Sequence, residues 1–292
     1  RVVGWWCSSD DLVAKDSSIA LVEAESPSQI RDEFEFSGLS VVCTNPQTDS
    51  YADYRCDFEL WEVDSGFLMY IGCNVTYSDY FDDGTLRTFL TYGIDRQSLV
   101  DNNYGGLALP TTLPISPMSP YYSKSLAATY DYDEMRFIDA ASKLRVPTND
   151  KGVTRTLKLL VNSDDSARLR CARNIAATLT ELGLACETVE SPTSVYEARL
   201  QAANYDIYLG ITKLPATADL SEFFRPWGEM SWGGLANETI YNMVNQSLAD
   251  RGNYYNLHKL VADDGRIIPV MAGYYAIYAK RGVLSDLNPA RD

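Results

Sequence analysis

The sequence predicts an α/β fold, and three observations predict it. Between Thr156 and Thr212, short β-type runs alternate with helical periodicity in the order strand, helix, strand, helix, strand. An earlier strand–helix–strand pattern occupies residues 19–43. The chain has 292 residues, 46% hydrophobic and 22% charged, a globular composition with length for about two domains.

In chain order, Ile19–Val22 reads as a strand. Ser26 is an N-cap and Pro27 a first-turn residue for a helix to about Phe36, which Gly38 stops, and Leu39–Cys43 is the next strand, feeding a parallel sheet. After a polar, turn-rich stretch, Gly66–Cys73 is continuously apolar and predicts a buried strand. From Asp82 a helical period takes over. Leu86, Phe89, Leu90 and Gly93 share a face, Leu99, Val100 and Tyr104 extend it, and Gly105-Gly106 ends it. Leu109 to Pro120 carries Pro110, Pro114, Pro117 and Pro120 and predicts an extended loop over a surface. Asp131 and Asp133 cap a short helix with Phe137, Ile138, Ala141 and Leu144 inward.

Leu157–Val161 is a strand, and Ser163-Asp164 caps a helix whose Leu169, Ala172, Ile175, Ala176, Leu179 and Leu182 form one apolar face ended by Gly183. Leu184–Val189 follows as strand, Ser194–Ala203 as helix and Asp206–Ile211 as strand. Ile240, Met243, Val244 and Leu248 mark a further helix, Leu257, Leu260 and Val261 a shorter one, and Ile267–Ala279 finishes extended.

Charge and motifs exclude several functions. With 25 Lys+Arg against 40 Asp+Glu, the net charge of −15 disfavours nucleic acid and acidic lipid as partners. No apolar run approaches the roughly 18 to 20 residues that cross a bilayer. The single histidine, His258, argues against imidazole catalysis and multi-histidine metal sites. Six cysteines without a C-x-x-C point away from structural zinc, leaving free thiols or one or two disulfides. Phosphate-loop, dinucleotide, metalloprotease and serine-hydrolase motifs are absent, so the reading assigns no catalytic residue, metal or cofactor.

Aromatic supply is the positive signal, with 20 Tyr, 9 Phe and 5 Trp. Three places concentrate it: Trp227–Gly234, preceded by Phe223-Phe224 and Pro226; Tyr70–Asn74 at a strand end; and Gly273-Tyr274-Tyr275. Each reads either as core packing or as a ligand surface.

The helix Leu86-Arg87-Thr88-Phe89-Leu90-Thr91-Tyr92-Gly93-Ile94-Asp95-Arg96-Gln97-Ser98-Leu99-Val100 resembles the R-x-A-L-x-Y-A-I-D-R-x-x-I-V helix of the family 5 extracellular solute-binding proteins. Gly105–Ala108 with the proline-rich run, Tyr70–Asn74, Leu157–Asn162, Tyr205–Tyr208, Ile268-Pro269 and Gly282–Leu284 are similar to further family segments. The resemblance implies a periplasmic-binding-protein-like type II lobe, βαβ units on a mixed sheet, plus part of a second lobe. It places 1–81 in a partial first lobe and hinge, 82–266 in the second lobe and 267–292 back in the first. In the family these motifs occupy the second half of a longer chain, so a C-terminal fragment is expected.

The implied function is solute capture for an ABC importer, with ligand buried by two-lobe closure. The protein would be a monomer that meets permease subunits at the extracellular face of a bacterial membrane, lipid-anchored, or in the periplasm. The rival readings are a carboxylate-pair hydrolase and a ligand sensor for a membrane signalling protein. Because open α/β sheets bind beyond strand carboxyl ends, the loop after Tyr205–Ile211 supplies the expected site: Lys213, Asp219, Phe223, Trp227 and Trp232, faced by Tyr70 and Asn74, with Tyr274 and Tyr275 from the last strand. Peptide receptors of the family carry an acid shortly after the Tyr-Asp strand. Lys213 stands there instead, and it favours a carboxylate-bearing ligand.

Overall fold

A computed structural model describes residue 20 and residues 22–24, 26–36, 38–46 and 54–284. In chain order the elements are α1 (Pro27–Phe36), β1 (Val41–Thr44), β2 (Phe58–Cys73), α2 (Thr85–Phe89), α3 (Arg96–Tyr104), β3 (Leu109–Pro110), α4 (Lys124–Ala128) and α5 (Glu134–Lys143). There follow β4 (Leu157–Asn162), α6 (Ser166–Glu181), β5 (Cys186–Ser191), α7 (Thr193–Gln201), β6 (Ile207–Lys213), α8 (Ser221–Phe224), α9 (Glu238–Ala249), α10 (Tyr254–Asp264) and β7 (Ile267–Lys280). The chain divides into two compact units, one of Arg1–Val63 with Tyr274–Asp292 and one of Asp64–Gly273.

In the first unit, Ser26 Oγ accepts the Gln29 N–H at 3.2 Å, the N-cap bond that starts α1. The end of β7 pairs antiparallel with β1, Val41 opposite Ala279 and Thr44 opposite Ala276. This corrects the expectation that the strand after α1 feeds a parallel pair. Of the strand expected over Ile19–Val22, Ile19 and Leu21 lie outside the described residues, and Ala20 and Val22 are not in a strand. Phe34, Tyr54, Phe58 and Tyr278 form an edge-packed aromatic cluster, with ring centroids 4.6 to 5.2 Å apart along the chain of contacts Phe34–Tyr54–Tyr278–Phe58.

In the second unit the strand order is β7-β2-β6-β4-β5, with β3 on β7. The parallel half is as predicted: β4 pairs parallel with both β5 and β6. β6 then pairs antiparallel with β2, giving the mixed sheet. The cap of α6 is Asp165, whose carboxylate accepts the Ala167 and Arg168 N–H groups, slightly later than the expected Ser163-Asp164. Gly183, at φ 97°, lies just past its end.

Successive residues of a strand face opposite sides, and each side has its own core. On one side Met69, Ile71, Leu159, Val161, Ile207 and Leu209 meet Cys171, Ile175 and Leu179 of α6 and Phe89 and Phe137. On the other, Leu68, Tyr70, Leu160 and Tyr208 meet Tyr196, Phe223, Phe224, Tyr254 and Leu257.

Three expectations are corrected in this unit. The helix from Asp82 is broken: α2 passes into a 3-10 turn over Leu90–Gly93, Ile94 is extended, and α3 restarts from Asp95, which caps Ser98 N–H at 3.0 Å. The Arg96 guanidinium takes the carbonyls of Thr91 and Ile94, both at 3.2 Å, acceptors that a continuous helix would need. The proline run is irregular as expected, but its middle does not lie over a surface: Leu109-Pro110 pairs with β7, and Thr111, Thr112, Leu113, Ile115 and Ser116 are buried, while Met118 and Pro120 are exposed. On α5, Phe137 is buried as expected, but Ile138 is 38% exposed, because one narrow stripe of this helix meets the core.

Candidate functional site

The site built by β6 and its following loop starts from cross-strand register. Tyr70 of β2 lies opposite Gly210 of β6, and Gly72 lies opposite Tyr208. Each tyrosine ring covers the glycine of the other strand: a Cβ on Gly72 would lie 2.2 Å from the Tyr208 ring, and one on Gly210 2.6 Å from Tyr70. The two rings stand edge-on, 5.7 Å between centroids, and Phe223 packs edge-on to Tyr70 at 5.0 Å. Burial pushes both phenols well above their ordinary pKa, so they stay neutral. Tyr70 and Phe223 are therefore walls of a core.

Asn74 is also buried. Its amide donates to the Ala203 carbonyl at 3.0 Å and the Tyr205 carbonyl at 2.8 Å, and its side-chain oxygen accepts Tyr77 N–H at 3.1 Å. That commits all three groups to pinning the chain at the end of β2.

Lys213 ends β6 and is exposed, opposite Phe67. By strand alternation it shares the side of Ile207, Leu209 and Ile211. Thr212, one residue earlier, faces the other side, where its hydroxyl donates to the Met230 sulfur at 3.4 Å. Phe223 and Met230 thus lie on the opposite side of the strand from Lys213. Asp219 is half-buried and accepts Ser221 N–H at 2.8 Å and Ser221 O–H at 2.6 Å, opening α8.

Trp227 is 96% exposed and has φ 62°, a backbone conformation that disfavours residues with a Cβ. The surrounding turn enforces it. Glu222 binds Arg225 through two contacts of 3.0 and 2.8 Å, accepts Glu229 N–H at 2.9 Å on its carboxylate, and accepts Met230 N–H at 3.2 Å on its carbonyl. The Arg225 guanidinium holds the Glu222 carboxyl below its ordinary pKa. A Cβ on Gly228 would lie 2.2 Å from the Glu222 carbonyl oxygen, so the turn needs glycine there. The loop presents a bare indole on a hydrogen-bonded mount.

Trp232 differs. It is half-buried and packs on the aromatic core. The glycines after it, at φ 60° and 85°, return to the start of β6, where Thr76 N–H donates to the Gly233 carbonyl at 3.2 Å and Arg266 Nη1 to the Gly234 carbonyl at 2.7 Å. Six residue steps, about 20 Å, separate the two ends of β6, so Gly233 anchors at the end far from Lys213. Tyr274, buried, and Tyr275, half-buried, belong to the other unit.

Residue reading missed Tyr208, the ring that pairs with Tyr70, although a signal exists: Tyr70-Ile71-Gly72 and Tyr208-Leu209-Gly210 are the same Tyr-x-Gly triplet on antiparallel neighbours. It also missed the Glu222–Arg225 clamp, an i, i+3 pair of opposite charge. Among the described residues, no group of three or more His, Cys, Asp or Glu is placed to hold a metal, and no helix is long and apolar enough to cross a membrane. Cys56, Cys73, Cys171 and Cys186 are free thiols, and Cys7 lies outside the described residues.

The profile of the bacterial extracellular solute-binding proteins, family 5 (middle region), matches residues 24–234. The chain belongs to this family. Solved structures share the family 5 fold: the substrate-binding protein CtaP of an ABC transporter from Listeria monocytogenes superposes with a TM-score of 0.69 at 13% identity, over 88% of this chain and 54% of that one. NikA from Brucella suis, in complex with Fe(III)-EDTA, gives 0.67 at 14% identity over 90% and 57%. The oligopeptide-binding protein AppA from Bacillus subtilis, in complex with a nonapeptide, gives 0.64 at 16% over 90% and 56%. The chain spans about half the length of these structures. No curated sequence matches it. The α/β, periplasmic-binding-protein-like fold expected from the sequence is the fold of these structures.

Proposed function

We propose that this chain is part of the solute-capturing subunit of an ABC importer, taking a peptide or a related small solute by closure of two lobes. The observation that carries the reading is the family 5 match over residues 24–234. The subunit acts as a monomer at the extracellular face of a bacterial membrane, lipid-anchored, or in the periplasm, and delivers its solute to permease subunits. In this reading Trp227, exposed on its braced turn, stacks on the solute, with Asp219 and Trp232 on the same loop. Tyr70, Asn74 and Phe223 act indirectly, by holding the backbone that presents them.

The test uses the full-length protein. Native mass spectrometry as purified identifies the retained solute, and calorimetry compares the parent with Trp227→Ala. An aromatic anchor at a binding hot spot is worth about 2 kcal/mol, close to thirtyfold in affinity. Parental affinity in a normally folded Trp227→Ala variant removes the indole from the site. Turnover of peptide libraries that is abolished by removing one carboxylate overturns capture as the sole function.

A further inference from the structure

The Asp64–Gly273 unit contains a buried cation with no bonded acid. Arg96 is 1% exposed, and its hydrogen bonds run to neutral oxygens: Nε to the carbonyls of Thr111 (3.0 Å) and Pro269 (2.8 Å), Nη1 to those of Thr91 and Ile94 (both 3.2 Å), and Nη2 to Thr91 Oγ1 (2.7 Å). Because Nε is shared between two acceptors, these five bonds occupy four of the five guanidinium N–H groups, and the fifth, on Nη2, remains. Burying a charge without an opposing one is costly. Burial itself pulls the Arg96 pKa down to about 10, and Asp131 is the carboxylate that most opposes this. Asp131 makes no bond to Arg96. It is exposed and accepts its neighbour Tyr132 N–H at 2.8 Å.

Between these groups lies a pocket of about 220 Å³, lined by Arg96, Thr111, Thr112, Tyr122, Lys124 and Asp131 over a floor of Pro110, Ala127 and Ala128. Two cations and one carboxylate leave the walls with one net positive charge. At about 30 Å³ per water the space holds roughly seven waters. We propose that this pocket binds a small organic monoanion, a carboxylate of a few heavy atoms. Its oxygens would meet the free Nη2 N–H of Arg96 and the Lys124 ammonium, and its alkyl part would lie on the alanine and proline floor. With one N–H from Arg96 and the Lys124 ammonium, the two oxygens of a carboxylate can each take a charged donor, and the apolar floor offers nothing to chloride. Asp131 discriminates against dianions.

The experiment measures binding of sodium acetate to the full chain by calorimetry and by thermal shift at constant ionic strength, with chloride as the balancing ion. Acetate is expected to bind saturably and raise Tm above the chloride baseline. Lys124→Gln, at an exposed position, is expected to weaken acetate about fivefold, and Asp131→Asn to tighten it by about as much. Acetate no better than chloride in both the parent and Asp131→Asn overturns the proposal and leaves Arg96 as a carbonyl clamp. Acetate affinity insensitive to Lys124→Gln overturns it equally by placing the ion elsewhere.

Discussion

The two sides of the sheet in the Asp64–Gly273 unit are filled by different means. One side is aliphatic and helix-covered: Leu159, Val161, Ile207 and Leu209 meet the Ala172–Ile175–Leu179 stripe of α6. The other is rich in aromatics, under the helices α7 to α10: Tyr70, Tyr208, Tyr205, Phe223 and Phe224, with Trp232 at its margin. An aliphatic interface needs only the right period and roughly the right volume, because branched side chains interdigitate in many arrangements. The aromatic pair here needs register, since each ring occupies the space over a glycine of the opposite strand, where a Cβ would clash.

That difference explains what was legible. The helix α6, the strands around it and their parallel pairing follow from apolar spacing and caps, and the structure has them nearly residue for residue. The segment from Asp82 to Tyr104 reads as one helix because its apolar spacing is helical on both sides of Ile94. The break is made by a polar side chain, Arg96, whose acceptors include residues as distant as Pro269. The buried course of Thr111–Ser116 was hidden for the same reason: its partners, Val270 for the Thr111 N–H among them, are remote in sequence. At the candidate site the residue types were legible and their orientations were not. Alternation puts Lys213 and Thr212 on opposite sides of one strand, and whether a loop carries an indole outward, as at Trp227, or inward, as at Trp232, depends on backbone angles that single residues do not announce.

The largest expected effect tests the register argument. Gly72→Ala puts a methyl within 2.2 Å of the Tyr208 ring, in a core that has no room to yield, and is expected to cost about 3 kcal/mol in chemical denaturation. Ile175→Leu, a volume-conserving swap on the aliphatic side, is expected to cost less than about 1.5 kcal/mol. In a Tyr208→Ala background the Gly72→Ala cost should largely vanish, a coupling that a double-mutant cycle reads directly. Equal costs for Gly72→Ala and Ile175→Leu would break the contrast between the two sides.

A comparable effect, dependent on pH, comes from α10, which covers the aromatic side. His258 is fully buried, and neither ring nitrogen has a hydrogen-bond partner among the described residues. Burial pushes its pKa down to about 4, from 6.5 in an unfolded chain. The unfolded state therefore binds a proton first, so this contribution to stability is complete above about pH 6.5 and is lost as pH falls toward 4. The loss amounts to about 3 kcal/mol at the lower end. In His258→Leu that part of the acid sensitivity should disappear. The measurement is the difference in unfolding free energy between parent and variant from pH 7 to pH 4. A difference that does not change with pH would mean that the imidazole finds a partner or water on protonation.

The smallest expected effect concerns Trp227, and its smallness is the point. A core indole contributes several kcal/mol through the apolar area it buries, but this one is almost wholly exposed and its backbone sits at φ 62°. Glycine occupies that region without a Cβ penalty. It also adds freedom to the unfolded chain, an opposing effect of about 0.4 to 1 kcal/mol. Trp227→Gly is therefore expected to leave stability within about 0.5 kcal/mol of the parent, as surface substitutions usually do. Trp227→Ala keeps the strain without the indole and should be no more stable than Trp227→Gly. Trp232→Ala, which uncovers part of the aromatic core, should fall well below both. The thermal melts of the three variants rank them. If Trp227→Gly melts as low as Trp232→Ala, the exposed indole is holding the loop together, and the strain at its backbone is not the mark of a residue presented for binding. If the predicted ranking holds, residue 227 carries an unfavourable conformation for an indole that folding does not use, which leaves contact with another molecule as its physical role.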